Sequence, residues 1–518
     1  MNSTVLFALV ILFYWKSTSY ELVNFDDSLY FGGNPFIKNF DLPFLKWAFT
    51  STYATNWHPL TWITYAIDYQ LGGYGSFWPH LQNVMWHSGV TVLLFLMTRA
   101  IILHLQPNIR PLILEISCFF GALLFAVHPL RAESVVWVSE RKDVVCAFFY
   151  LLTMLLYWRY LLCEKNKSQW LIGVHCSAVL AFLAKPMAVS LPLVLILIDL
   201  LVRRKITARV FIEKGGLCLA VLLLCVLNMR AQAVAISDLT VIPLEFRIVN
   251  SLSVISFYLN QTFWPYDFFA GHSNLLPMYT FYENSGKISG FEIAMAGSSL
   301  ALIGLTFSLL GRNLRIALAF YIITLLPVIG LVHFGVAMAA DRYTYITLMP
   351  LVVLFVYGVS LALEKRKWIY VSLACAYFSA MLWAGWNQQE IWRNPITLWE
   401  HQCALLPRPL FLEVLGDNYM KRNNFLKAAE KYEQTLVLQP HLADVQLKAA
   451  IMNLKIGRIP PMRQHVDAAI RLDPNYAEAY MFRSQVNPNR KQALVDYQKA
   501  IELDPELRKS YPQLPSLK

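Results

Sequence analysis

The run Trp368–Trp386 reads WIYVSLACAYFSAMLWAGW, nineteen residues without a charge, and it directly follows the cluster Glu364-Lys365-Arg366-Lys367. A bilayer core about 30 Å thick asks for ~20 such residues in a helix. Lys and Arg gather on the cytoplasmic side of such spans. The texture recurs near 84–104, 112–127, 144–162, 170–185, 187–202, 215–229, 247–264, 291–310, 316–333 and 346–363, with a shorter run at Met1–Trp15. The expected fold class is therefore all-α, a polytopic transmembrane helical bundle of about 11–12 spans.

Composition agrees. The 518 residues are 57% hydrophobic and 15% charged, whereas a soluble domain is about 25% charged. That excludes disorder and a single soluble domain. The net charge of +11 is assigned to cytoplasmic loops. No basic repeat with interleaved aromatics suits a phosphate backbone, so no nucleic-acid partner is expected. The eight cysteines include no C-x-x-C pair and lie mostly in apolar runs. Neither a disulfide framework nor a zinc site is expected. Met1–Trp15 lacks a basic start and a small-residue cleavage site, so it reads as a retained helix.

The basic sets Arg203-Arg204-Lys205, Arg312 with Arg315, and Lys165 with Lys167 join 364–367 on the cytoplasmic side. Counting outward puts 16–83, 128–143, 265–290, 333–345 and everything after about 387 on the opposite face. The count works if 247–264, with Arg247, Asn250 and Asn260, lies in the interface. Segment 16–83, rich in Trp, Tyr, Pro and Gly, reads as a first external loop with interfacial helices.

After 390 the texture changes. Pro440 and Pro474 are 34 residues apart, and Asp473-Pro474 recurs as Asp504-Pro505. Aligning these prolines puts Leu412, Leu415, Gly416, Tyr419, Ala428 and Tyr432 at tetratricopeptide positions. Tyr480, Ala493, Tyr497 and Ala500 fall likewise in a last unit, with a weaker middle one at Ala449, Ala450, Leu454 and Ala469. Small residues there let paired helices approach, and Pro ends the second helix. The expected organisation is a membrane domain at 1–390, a linker at 391–408, three tetratricopeptide repeats at 409–507 and a tail at 508–518.

Ionisable groups at a membrane cost ~2.5–3.5 kcal/mol each at mid-span, so clusters of them ask for a reason. Asn24-Phe25-Asp26-Asp27 offers two carboxylates, for a general base with an orienting partner, a cation site, or solvated loop acids. His128-Pro129-Leu130-Arg131-Ala132-Glu133 continues through Trp137 to Glu140-Arg141-Lys142-Asp143. Its Arg/Lys set suits a phosphate grip, or else an internally paired loop. Asp341-Arg342-Tyr343-Thr344-Tyr345 leads straight into a span, with Arg342 wanting an anion, either Asp341 or a ligand phosphate. Lys185-Pro186 splits two short runs, as a re-entrant element or a snorkelling Lys does. His58-Pro59 and Asp68 are weaker signals in the first loop. No nucleotide loop, G-x-S-x-G or H-E-x-x-H occurs, which argues against ATP-driven transport and soluble-type hydrolysis.

Taken in order, Phe25-Asp26-Asp27, Asn56-Trp57-His58-Pro59-Leu60-Thr61-Trp62, His128-Pro129 through Asp143, Ala184-Lys185-Pro186-Met187, Phe263-Trp264-Pro265 and Ala340-Asp341-Arg342-Tyr343-Thr344-Tyr345 form a recognisable series. With the repeats behind it, the chain resembles bacterial relatives of the transmembrane and tetratricopeptide-repeat O-mannosyltransferases, of the C-type glycosyltransferase fold. The resemblance implies transfer of a sugar, with inversion, from a polyprenyl-phosphate donor to a protein or glycan hydroxyl on the periplasmic face. The setting is a bacterial inner membrane with the repeats outside. It implies Asp26 as base and Asp27 as support, in either order. Arg141, Lys142 and Arg342 would hold the donor phosphate, with Lys185 and Arg131 behind them, and His58, His128, Glu133, Asp143, Asp341, Tyr343 and Tyr345 would support them. No cofactor or metal is implied, although the carboxylate pair could take a divalent cation. Two other functions fit the same composition: a membrane-anchored repeat scaffold, and a transporter. A transporter would carry mid-span charges and paired halves, whereas the polar clusters here gather at one face.

Overall fold

The structure is a computed structural model that describes residues 3–231, 243–265, 276–277, 290–331 and 337–511. Most of the expected 265–290 loop and the end of the tail lie outside the described residues. The chain divides into two compact units, Met1–Asn394 and Pro395–Lys518.

The first unit is helical: α1 Ser3–Tyr14, α2 Leu42–Thr50, α3 Pro59–Gly72, α4 Phe77–Leu105, α5 Pro111–Val127, α6 Arg141–Leu162 and α7 Lys167–Ala184. There follow α8 Leu191–Leu201, α9 Ala208–Ala231, α10 Leu244–Phe263, α11 Gly290–Leu309, α12 Arg312–Leu325, α13 Met349–Glu364 and α14 Trp368–Ile391. A short antiparallel pairing joins Leu276–Pro277 to Ala337–Ala339.

Each apolar run lies largely within a helix, but fewer helices than runs are fit to cross a membrane alone. Among the described residues four are long and apolar enough, or up to six if each bent pair is one span. Three shorter apolar helices, Ser3–Ser19, Pro186–Leu201 and Ile293–Leu309, stand beside them. Proline and polar residues break the apolar runs into shorter rods. The most apolar span, in α9, turns Leu219, Leu222, Leu223, Val226 and Met229 outward, as lipid contact requires. This is a membrane protein. The expected interfacial segment 247–264 is packed into the bundle. In α10, Val254, Ile255 and Tyr258 share a core with Tyr321, Leu325 and Leu130.

Three breaks shape the polar end. Pro129 has no N–H and forces its predecessor out of the helical region. His128 is accordingly extended, at φ −61° and ψ 136°. The chain bends by 60° into Pro129–Val136. A second bend of 58° separates Asp341–Thr347 from α13, which starts with Met349-Pro350. A third break lies at Lys185, extended between α7 and the turn Pro186–Ser190. Irregular backbone at such depth is tolerated only where protein or a cavity surrounds it. Here every residue from 124 to 147 is buried.

The first loop folds down as an aromatic cap. Tyr30, Phe31, Ile37, Phe44, Trp62 and Tyr65 cluster with Val138, and the Tyr65 hydroxyl donates to the Val138 carbonyl at 2.8 Å. At the α5 break itself, α14 crosses closely. A Cβ on Gly385 would run into the Val127 carbonyl oxygen.

In the second unit the expected linker holds a helix, α15 Pro395–Leu405, ahead of three helix pairs. These are α16 Pro409–Lys421 with α17 Phe425–Leu438, α18 Ala443–Lys455 with α19 Ile459–Leu472, and α20 Ala477–Val486 with α21 Arg490–Leu503. Helices α17, α19 and α21 each end two residues before Pro440, Pro474 and Pro505. Gly416 admits the Tyr432 ring, since a Cβ there would lie 2.6 Å from it. Asn424 and Asn489 cap α17 and α21 with their side chains, as such residues do at helix starts.

Candidate active site

The three breaks and the first loop converge on one buried charge cluster. Glu133 accepts from the Arg342 backbone at 2.8 Å and from its Nη1 at 2.5 Å. Asp143 pairs with Lys185 at 2.5 Å and accepts from Ser134 at 3.1 Å. Glu140 lies among Lys142, Lys185 and Arg342, at 3.1, 3.4 and 3.5 Å. Lys142 also sits 4.7 Å from the Tyr30 ring centre.

The paired acids divide. Asp27 is buried, and its two oxygens are used. Oδ2 accepts from Val23 N–H at 2.9 Å; Oδ1 accepts from Ser139 N–H at 2.8 Å and Ser139 Oγ at 2.5 Å. Burial pushes its carboxyl up to about 7, against the pull of these bonds. Asp26 is half-buried, and its carboxylate has no hydrogen-bond partner among the described residues. Burial raises its pKa, the Lys142 and Arg342 charges lower it, and Glu140 raises it. So Asp26 faces the cluster while Asp27 ties the first loop to the 138–140 turn. No group of three His, Cys, Asp or Glu residues placed to hold a metal ion occurs among the described residues. Asp27, with both oxygens already accepting N–H or O–H, is poorly suited to one.

Arg141 does not join the cluster. It is buried with Asp68, to which its Nη1 donates, and it also serves Asn83 Oδ1 at 2.7 Å and the Pro79 carbonyl at 2.6 Å. The Tyr65 ring covers its guanidinium at 4.7 Å. Arg141 and Lys142 start a helix, where successive side chains point about 100° apart; one faces the interior and the other the cluster. Arg131 is also interior. It donates to Thr344 Oγ1 and lies 5.0 and 5.1 Å from the Phe125 and Tyr345 rings. Its charge and that of Arg342 bear on buried Asp341.

The remaining predicted residues take structural places. The Tyr345 hydroxyl meets His87 Nδ1, and Tyr343 stacks under Arg342 at 5.1 Å. His128 secures its break through the Thr262 carbonyl at 3.0 Å. His58 packs in the aromatic cap beside Tyr30. Its ring lies 4.4 Å from Trp62 and 5.5 Å from Tyr30, and its Nε2 has no hydrogen-bond partner among the described residues. Burial, then the Lys142 charge, push its pKa well down, so it is neutral. The sequence reading gave Tyr30, Ser139 and Glu140 no role of their own. Tyr30 could have been found from its spacing of four after Asp26, which puts both on one side of a helical turn.

No protein-family profile matches the chain. It is 35% identical to Protein O-mannosyl-transferase TMTC4 of Homo sapiens over 132 residues, 25% of this chain and 17% of that one. It is 32% identical to Protein O-mannosyl-transferase Tmtc1 of Drosophila melanogaster over 146 residues, 28% of this chain and 16% of that one. Over these stretches the chain is a relative of the O-mannosyltransferases, and the matches span about a sixth of the relatives' own length. Among solved structures, ArnT from Cupriavidus metallidurans bound to undecaprenyl phosphate superposes with a TM-score of 0.36 and 13% identity, over 97% of this chain and 88% of that one.

Proposed function

We infer that this chain is a membrane glycosyltransferase that moves a hexose from a polyprenyl-phosphate donor to an acceptor hydroxyl at the outer face of a bacterial inner membrane. The single observation that carries the reading is the Asp26 carboxylate, unbonded among the described residues and subject to the charges of Lys142 and Arg342. In this mechanism Asp26 takes the proton from the acceptor hydroxyl. The oxygen attacks the anomeric carbon from the side opposite the phosphate, which inverts the centre. The C–O bond to the phosphate breaks, and its electron pair leaves with the polyprenyl phosphate. Lys142, Lys185 and Arg342 neutralise the charge that develops there, a stabilisation worth most in a site shielded from water. A carboxyl raised by burial is a better base near neutrality than an ordinary one. The relatives' printed activity supports a protein hydroxyl as acceptor, and mannose as sugar. The helix pairs of 409–507 are read as a periplasmic surface that engages the acceptor polypeptide.

The test is purified full-length chain in detergent, given a labelled polyprenyl-phosphate hexose and a periplasmic protein extract. Label should pass to protein, with polyprenyl phosphate as coproduct. A reaction that yields neither labelled protein or glycan nor polyprenyl phosphate refutes the reading.

A further inference from the structure

Glu140 has an unusual place in the cluster. It is 2% exposed and ends the turn Val138–Glu140, immediately before α6. Lys142 Nζ and Arg342 Nε approach its Oε1 at 3.1 and 3.5 Å, and Lys185 Nζ approaches its Oε2 at 3.4 Å. Two of these cations hold a closer anion of their own. Lys185 has Asp143, and Arg342 has Glu133, each at 2.5 Å. Their longer contacts with Glu140 are therefore a surplus. Lys142 has no other carboxylate within ion-pair distance among the described residues. Take the Glu140 carboxylate away, and what is left is an anion-sized seat bounded by three cations, Lys142 buried and Lys185 and Arg342 partly so, from three separate breaks in the helices. The phosphomonoester left after transfer, with three outer oxygens and at least as much charge, matches three donors better than two oxygens do.

We propose that the Glu140 carboxylate is an internal stand-in for a phosphoryl anion: it fills the phosphate seat of the empty protein and is displaced from Lys142, Lys185 and Arg342 when that anion arrives. This rests on the proposed phosphate role of those cations and adds the residue that sets their affinity. Without ligand, the stand-in spares the fold an uncompensated buried charge at Lys142, which proteins tolerate poorly. With ligand, it competes, so that binding is moderated and the spent lipid phosphate is expelled as Glu140 swings back.

Glu140→Gln keeps the shape and removes the charge. Thermal unfolding of the full chain in detergent is followed while inorganic phosphate and, separately, a short-chain polyprenyl monophosphate are added. Ligand that binds the folded state alone raises the unfolding temperature in proportion to its affinity. The ligand-free variant should unfold below the wild type. Phosphate should restore it, with an apparent Kd at least tenfold tighter than for the wild type. Tightening by inorganic phosphate assigns the effect to the head group by itself. Tightening by the lipid alone assigns it to a head group presented with its chain. Glu140→Asp, which keeps the charge and draws it back by one methylene, covers the case in which Gln does not fold. It should tighten binding by a smaller factor. If the wild type responds to phosphate and neither variant binds it more tightly, displacement is wrong while the phosphate seat stands. If no protein responds to either phosphate, the phosphate seat itself is refuted.

Discussion

Asp26 and Asp27 are neighbours with opposite situations, and one pair of substitutions separates them. Asp26→Asn removes a carboxylate that no hydrogen bond holds among the described residues. Its effect on stability should stay within about 0.5 kcal/mol, as for substitutions away from any packed network. Its effect on sugar transfer should be a loss of ~10²- to 10⁴-fold, the usual contribution of a positioned base. Asp27→Ala orphans three donors at once, the N–H groups of Val23 and Ser139 and the Ser139 hydroxyl. At about 1–3 kcal/mol for each buried group left unmet, the loss is of order 3 kcal/mol or more. That is a large share of a typical ~5–15 kcal/mol. Two assays on the same detergent preparations decide it: transfer from labelled polyprenyl-phosphate hexose, and thermal unfolding. Full transfer by Asp26→Asn would refute the assignment of the base. So would an Asp27→Ala protein that unfolds like wild type yet is dead.

Four further outcomes are expected. Lys142→Met should weaken donor binding by ~10- to 100-fold, the value of about 1.5–3 kcal/mol for a contact to a charged group, read as a rise in KM; Arg141→Ala should instead lower stability by about 3–5 kcal/mol, since it strands buried Asp68. The Asp27 carboxyl, raised to about 7 in the folded chain and near ~3.9 when unfolded, keeps its proton in the native state where the unfolded chain has lost it. Its contribution is thus full below about pH 4 and declines as pH climbs to about 7; Asp27→Asn should flatten that slope in unfolding measured at several pH values. Gly416→Ala forces a Cβ against the Tyr432 ring and should cost ~1–3 kcal/mol by overpacking, seen as faster proteolysis within 395–518.

The helices were legible from their apolar runs, because burial in lipid or protein writes itself into local composition. How the ends of the runs meet was not, because it depends on the bends after Val127 and before Met349 and on the extended break at Lys185. The gathering of Asp26, Lys142, Lys185 and Arg342 was anticipated from chemical type. The exclusion of Arg141 could not be. Its partner Asp68 lies 73 residues upstream, and nothing local announces that pairing. Adjacent residues on a helix also diverge by about 100°, so the unlike fates of Arg141 and Lys142 are decided by which way α6 is rotated. Rotation is a tertiary property.

Gly385 has a wider meaning than a tight fit. Much of α14 is turned outward and accepts any apolar side chain of suitable length. At Gly385 the helix rests directly on the elbow that aims Arg131 and Glu133 inward. Natural versions of this protein should therefore drift freely along α14 yet keep glycine at 385, and a bulkier residue there would act as a wedge that opens the elbow from a distance.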